Sequence, residues 1–294
     1  MTTTETISAR YQGLDSWGDE AILAAFIEGQ ERAVAAVKSA QPAIARAAGA
    51  IVARLGTTGR IIYVGAGSSG LIAALDGMEL GGTFGWPDER VVFVLAGGNV
   101  LKPGMDGGPE DDTIRAVSVM TALAPRREDV VIAVAASGST AFTLAATAAG
   151  RKAGALTIGL ANNRDALLLQ GVDVPILLDS GPEIIVGSTR MNAGTAQKAA
   201  LGLLSSLTMI RLGYVYDGLM VNLRVDNAKL RKRALAMLVQ IAGCDREEAG
   251  RALDRCHGRV KAAALVLRGL APAEADRVLA AAQGNLRAAF AMLN

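Results

Sequence analysis

The chain has 294 residues, 51% hydrophobic and 20% charged, with a formal net charge of +2, 34 Gly, two Cys and one His. This is a globular composition, long enough for one large domain or two smaller ones, and its near-neutral charge names no partner. A single His with only Cys244 and Cys256 excludes a disulfide framework and a four-ligand zinc site and argues against a Ser–His triad, so acid–base chemistry falls to Glu, Asp, Lys or Tyr.

The N-terminal stretch MTTTETISARYQGLDSW has no apolar leader segment, and no uncharged apolar run of about 18 residues follows. A cytoplasmic protein without membrane contact is expected. Residues 15–58 read as helix, with Asp15-Ser16 as start signal and Ile22, Leu23, Ala25, Phe26 and Ile27 leading into the Ala-rich Ala33–Leu55. Short β-branched runs follow at Arg60–Val64, Val91–Leu95, Val130–Ala135 and Ala155–Leu160, with a weaker one at Val174–Leu178. Helical stretches lie between them near 69–80, 111–123 and 140–152. This alternation predicts an α/β fold, a parallel sheet flanked by helices, with strands apolar enough to be buried on both faces. From residue 188 the pattern is helical: Thr189–Leu212, then Val215–Ala242 with the basic run Lys229, Arg231, Lys232, Arg233.

The tail repeats itself. Cys244–Leu267 aligns with Leu270–Leu293 at an offset of 26, matching Glu248/Glu274, Arg251/Arg277, Leu253/Leu279, Gly258/Gly284 and Leu267/Leu293 and setting His257 opposite Gln283. Each unit reads as helix, Gly-containing turn, helix, and buries its apolar face only by packing on the other. Three parts are expected: a helical segment at 1–58 packing on the sheet, the α/β domain at 59–239, and a small all-α domain at 240–294. Residues 228–294 carry twelve basic and six acidic side chains, but Phe290 is their only aromatic. This reads as a solvated helical surface, not a nucleic-acid site.

Gly65-Ala66-Gly67-Ser68-Ser69-Gly70 follows the first strand and opens a helix. It matches G-x-G-x-x-G, but the next strand ends Val94-Leu95-Ala96-Gly97-Gly98 without the acid a dinucleotide ribose requires, and no Gly-Lys-Ser/Thr makes it a P-loop. Ser68 and Ser69 instead stand where helix N-terminal amides favour an anion. Ala136-Ser137-Gly138-Ser139-Thr140 repeats the arrangement after the third strand. Two such turns at the carboxyl edge of one sheet suit a sugar phosphate, with ordinary N-capping as the plainer alternative. Gly187-Ser188-Thr189-Arg190 through Lys198 opens a later helix and offers hydroxyls and a cation to the same ligand. Glu79, in Met78-Glu79-Leu80-Gly81-Gly82, is a carboxylate whose burial would raise its pKa, and Glu110 stands where the next helix is expected to begin, a usual place for a cap.

Taken together, Gly65–Gly70, Ala136–Thr140 and Gly187–Lys198 resemble the sugar isomerase (SIS) phosphosugar-binding fold. Thr83-Phe84-Gly85, Glu110-Asp111-Asp112, Gly181-Pro182-Glu183, Gly187–Arg190 and Asn227-Ala228-Lys229-Leu230 narrow the resemblance to N-acetylmuramic acid 6-phosphate etherase, over about residues 15–294. The resemblance implies a SIS-type parallel sheet with a small C-terminal UBA-like helical domain. It implies a cytoplasmic, homodimeric, cofactor-free lyase that releases D-lactate from N-acetylmuramic acid 6-phosphate in cell-wall sugar recycling, with no metal. Glu79 and Glu110 fall on the catalytic pair. Gly67, Ser68, Ser69, Ser137, Gly138, Ser139, Thr140, Glu183, Ser188, Thr189 and Lys198 fall on the substrate and phosphate contacts. A non-catalytic phosphosugar-binding regulator similar to the glucokinase regulatory protein, and a sugar-phosphate isomerase, are the alternatives on the same fold. The chain departs from the family at Leu71 and Ser139, where Arg is usual or frequent, at Asn192, where Lys is usual, and at Leu80-Gly81-Gly82, where Cys-Pro-Pro is common. Lys102 and Arg190 are the candidate cations to compensate, a role the sequence does not show.

Overall fold

The apolar runs form five strands: β1 (Ile61–Gly65), β2 (Val91–Leu95), β3 (Val130–Val134), β4 (Leu156–Ala161) and β5 (Val174–Leu177). A computed structural model describes residues 3–99 and 107–293, so Lys102 lies outside the described residues. All strand pairs are parallel, in the order β2-β1-β3-β4-β5. The central strands β1, β3 and β4 are buried along their whole length, as double-sided cover requires. The edges β2 and β5 are half-buried, and β5 tolerates Pro175 because an edge strand can spare a donor.

Helices α1 (Asp19–Leu55), α2 (Gly67–Phe84), α3 (Thr113–Leu123), α4 (Ala141–Lys152), the short α5 (Leu167–Gln170) and α6 (Asn192–Arg211) accompany the sheet. The tail holds α7 (Ala228–Ala242), α8 (Arg246–Arg255), α9 (Val260–Val266), α10 (Pro272–Ala281) and α11 (Leu286–Ala291). Strand residues alternate sides. Ile62, Val64, Val131 and Ala133 pack with Ala116 and Met120 of α3 and Phe142 and Ala146 of α4. On the other side, Tyr63 donates its hydroxyl to Asp76 of α2 at 2.7 Å.

Asp129 ties the starts of β1 and β3 together. Its fully buried carboxylate accepts the Arg60 and Arg126 backbone N–H groups, each at 2.9 Å, and the Arg60 guanidinium at 2.6 and 3.2 Å. Burial alone would push the Asp129 pKa up, but the hydrogen bonds from Arg60 and Arg126 outweigh it and the net direction is down. Asp129→Ala strands Arg60 and several donors, so a loss of about 3 kcal/mol is expected in chemical denaturation. The contribution of Asp129 is present above the ordinary aspartate pKa and is lost as pH falls through its lowered value.

Two compact units divide the chain, Met1–Met78 with Glu89–Ser205, and Glu79–Asp88 with Ser206–Asn294. The second has its own core, built from Leu235, Leu238, Leu253, Val260, Leu265 and Leu286 with their neighbours. The repeat is visible down to its dihedral angles. His257 and Gln283 both have φ +53°, and the following Gly258 and Gly284 have φ +78° and +75°. Both turns therefore share the left-handed conformation that ends the first helix of each unit.

Several helix boundaries differ from expectation; α6, for one, begins at Asn192 and leaves Thr189 in the preceding loop. Asp15 and Ser16 belong to a short 3-10 turn, and α1 starts after Gly18 because the Ser16 hydroxyl bonds back to the Gly13 carbonyl. Residues 215–227 are not helical. Asp217 and Gly218 both have positive φ, a tight turn bridging Tyr216 to Leu219, and α7 begins only where the Asn227 side chain caps the Leu230 N–H.

Candidate active site

In the sheet order, β1 and β3 are neighbours whose connections leave in opposite directions, through α2 to β2 and through α4 to β4. A crevice at the carboxyl ends of such strands is where α/β sheets hold ligands. Gly65 pairs with Val134, so the first and second Ser/Gly turns end side by side at this switch point. The glycines make the first turn possible. A Cβ on Gly65 would stand 2.8 Å from the Gly70 Cα, so strand and helix close up only without one. Ser69 is buried there and Ser68 is half-buried.

The second turn is held by its own hydroxyls. The Ser137 Oγ accepts the Ser139 N–H at 3.2 Å and the Ser139 hydroxyl at 3.1 Å. Thr140, at the N-cap of α4, makes no side-chain cap, so the plain capping explanation does not account for it. Gly138 has φ +69°, and a Cβ there would lie 2.3 Å from the Ala166 Cβ.

The third loop, between β5 and α6, is arranged differently. Glu183 is fully buried and accepts the Asn192 and Ala193 N–H groups, each at 2.9 Å. Burial pushes its pKa up, while these two N–H groups pull it down, for a net rise. Ser188 and Thr189 stand half-buried within the loop that Glu183 closes. Lys198 is exposed six residues into α6, about 9 Å along the axis, with its amine directed toward Gly202.

The two carboxylates also separate from their plainer readings. Glu110 lies in a 3-10 turn, Gly108–Asp111, and the cap of α3 is Asp112, whose Oδ1 accepts the Arg115 N–H at 2.8 Å. Glu110 is thus free of capping duty. Half-burial, then the neighbouring Asp111 charge, raise its pKa. A groove of about 510 Å³ opens at the carboxyl end of β2, lined by Gly97, Gly98 and Asn99 and by Pro109 and Asp112, the near neighbours of Glu110. Glu79 is exposed, contrary to the burial its Gly/apolar setting suggests. On α2 it is Gly77 and Leu80 that turn inward, a Cβ on Gly77 meeting Phe93 and Tyr63, while Met78 and Glu79 turn out. In the second unit, the segment that starts with Glu79 is pinned locally. A Cβ on Gly85 would lie 2.2 Å from the Asn222 carbonyl, and Asn222 donates to the Phe84 carbonyl at 3.1 Å. Trp86 packs on Tyr214 at 5.7 Å.

Several polar residues that the sequence does not single out organise the carboxyl edge. The Asn162 amide donates to the Leu178 carbonyl and the Ser180 hydroxyl, and its oxygen accepts from Gln197. Asn163 donates to the Ala136 carbonyl at 2.8 Å, beside the second turn, and exchanges hydrogen bonds with Thr4. The only local signal is an Asn pair directly after a buried strand. Among the described residues, no three His, Cys, Asp or Glu side chains gather to hold a metal ion, and no helix is long and apolar enough to cross a membrane.

No protein-family model matches the chain. Curated proteins named N-acetylmuramic acid 6-phosphate etherase are similar to almost all of it. The one from Deinococcus radiodurans is 47% identical, over 97% of this chain and 93% of its own. The Rubrobacter xylanophilus protein is 42% identical over 98% and 95%, and that of Salmonella dublin 38% over 98% and 97%. The chain belongs to the N-acetylmuramic acid 6-phosphate etherase family. Among solved structures, a Bacteroides fragilis protein described as a phosphosugar isomerase involved in capsule formation superposes with a TM-score of 0.52 at 19% identity, over 67% of this chain and 94% of its own, a likeness of fold. Against the etherase family's usual cations, Leu71 and Ser139 are exposed, whereas Asn192 is buried. Its amide donates to the Pro182 carbonyl at 3.0 Å and accepts from Gln30 at 3.5 Å.

Proposed function

We propose that this chain is a lyase cleaving the D-lactyl ether of N-acetylmuramic acid 6-phosphate to N-acetylglucosamine 6-phosphate and D-lactate. The observation that carries this reading is identity with etherases along nearly the whole of both chains. The paired Ser/Gly turns at the β1/β3 crevice support it, since hydroxyls and amides at helix starts suit a monoester phosphate. The sugar ring opens to the aldehyde, which makes the C2 proton acidic. Glu110, raised in pKa, removes that proton; the C3–O bond breaks, and Glu79 protonates the departing lactate oxygen. Water then adds across the C2–C3 double bond, its hydroxyl at C3 and a proton at C2. Ser68, Ser69, Ser137, Ser139 and Thr140 hold the phosphate, and Ser188 and Thr189 reach the sugar. We place the work in the cytoplasm, within amino sugar recycling.

The working unit in this reading is a homodimer. Helix α1 exposes Leu23, Ile27 and Val34 on one face, and α2 exposes Leu71, Leu75 and Met78 at spacings of four and three. Such stripes on a folded chain mark association surfaces, and a second copy of this chain is the partner. The test is a coupled D-lactate assay on the purified protein, with light scattering for its mass. Binding of the sugar phosphate without lactate release would refute the etherase reading, and a monomer mass would refute the dimer.

A further inference from the structure

A carboxylate inside a proposed sugar-phosphate site is ordinarily read as a ligand contact, because it can accept hydroxyls. Glu183 is poorly placed for that role: both oxygens are engaged by backbone N–H groups, and burial keeps their remaining lone pairs away from any ligand in solvent. One oxygen accepts the Asn192 N–H and the other the Ala193 N–H, both at 2.9 Å, and the side chain is out of solvent. These are the first two amides of a 20-residue helix, the place where a helix most favours an anion. The start of α6 is therefore filled by the protein's own negative charge and offers no second anion site.

The same contact closes a loop. Residues 184–191 leave Glu183 and return to Asn192, and within them lie Ser188 and Thr189. Other buried and half-buried groups also fix the loop. Asn192 binds the Pro182 carbonyl across the loop's neck, and Gln30 of α1 binds both Asn192 and the Thr195 hydroxyl. A Cβ on Gly29 would lie 2.4 Å from the Asn192 side-chain oxygen, so α1 packs directly against this point. Ile184 is buried against Tyr11 and Ala25, and the Gly187 N–H donates to the Thr4 carbonyl at 3.4 Å. Thr4, itself buried, also bonds Asn163, which holds the second turn at Ala136.

We propose that Glu183 is a positioning residue, a clamp on the start of α6 that presets Ser188 and Thr189 for the sugar phosphate without touching it. The proposal rests on the etherase reading for what the loop contacts, but not for the clamp itself. A clamp of this kind affects how well the substrate is met, and leaves the proton transfers at Glu110 and Glu79 as they are. Glu183→Gln keeps the size of the side chain but turns an NH2 toward one of the two N–H donors, so one bond is lost and two donors face each other.

The experiment pairs steady-state kinetics with amide hydrogen exchange on the full chain. E183Q is expected to raise KM for N-acetylmuramic acid 6-phosphate at least tenfold with kcat within about threefold, and to speed exchange at the Asn192 and Ala193 amides at least tenfold. A collapse of kcat at unchanged KM would overturn the proposal, since Glu183 would then act on the reacting atoms. Unchanged exchange at 192 and 193 would overturn it as well. If the wild type releases no D-lactate, the etherase reading fails and the exchange measurement still decides the clamp. Should E183Q not fold, Glu183→Asp keeps the charge but draws the carboxylate back by a methylene from the Asn192 and Ala193 N–H groups. It is then expected to raise KM severalfold without lowering kcat, and an unaltered KM counts against the clamp.

Discussion

Replacing Glu110 by Gln is expected to lower D-lactate release by about 10²–10⁴-fold, the usual weight of a positioned general base. The substitution keeps shape and removes only the proton acceptor. A base must be ionised to work, and burial with the adjacent Asp111 charge lifts Glu110 above the ordinary glutamate value. The rate should therefore fall as the solution is acidified, starting at a higher pH than an exposed glutamate would give. That acid limb should vanish from the residual activity of E110Q. Because Asp112 caps α3, the variant should lose no helix stability, and unfolding midpoints of the two proteins should agree. An E110Q enzyme of near-normal rate would remove Glu110 from the mechanism.

Glu79→Ala is expected to abolish lactate release while sparing the first chemical step. If Glu79 protonates the leaving oxygen, its loss leaves C2 deprotonation by Glu110 intact. Substrate incubated with E79A in deuterium oxide should then take up deuterium at C2 without yielding D-lactate, whereas E110Q should do neither. Exchange lost in E79A and kept in E110Q would reverse the two roles. The exposure of Glu79 has a further bearing on the result. In a single chain the Glu79 carboxyl, and a leaving oxygen beside it, would be open to water. In the proposed homodimer a second copy covers the exposed Met78 and Leu75 of the same helix, so activity is expected to fall on dilution below the dissociation constant of that proposed dimer.

The strands were the most legible part of the sequence because β-branched runs bounded by Gly carry their own signal; β2 spans the expected Val91–Leu95, and the others are shifted or trimmed by a residue or so. The tail repeat was legible for a similar reason, as an offset of identities within one chain. The stretch 215–227 reads as helix although Asp217-Gly218 forms a turn, because the flanking apolar residues fit a helical period as well. Site geometry was less legible. Whether Glu110 or Asp112 caps α3 depends on a two-residue difference in where the helix starts, and whether Glu79 faces in or out depends on which face of α2 meets Tyr63 and Phe93. Thr4, Asn163 and Gln197 could not be singled out at all. The partner of Thr4 lies 159 positions along the chain, and no local pattern marks a bond of that span.

The bond between the Thr4 carbonyl and the Gly187 N–H also has a meaning in time. About 180 residues separate its two ends, and a ribosome needs on the order of 10–40 s to add them. Thr4 leaves the ribosome long before Gly187 exists, and β1 to β5 can assemble without that bond. The third loop can be latched only after α6 has been made, so during synthesis the ligand edge of the sheet is the last part of the first unit to be finished. A nascent chain stalled before α6 would carry a formed sheet with an open, polar rim.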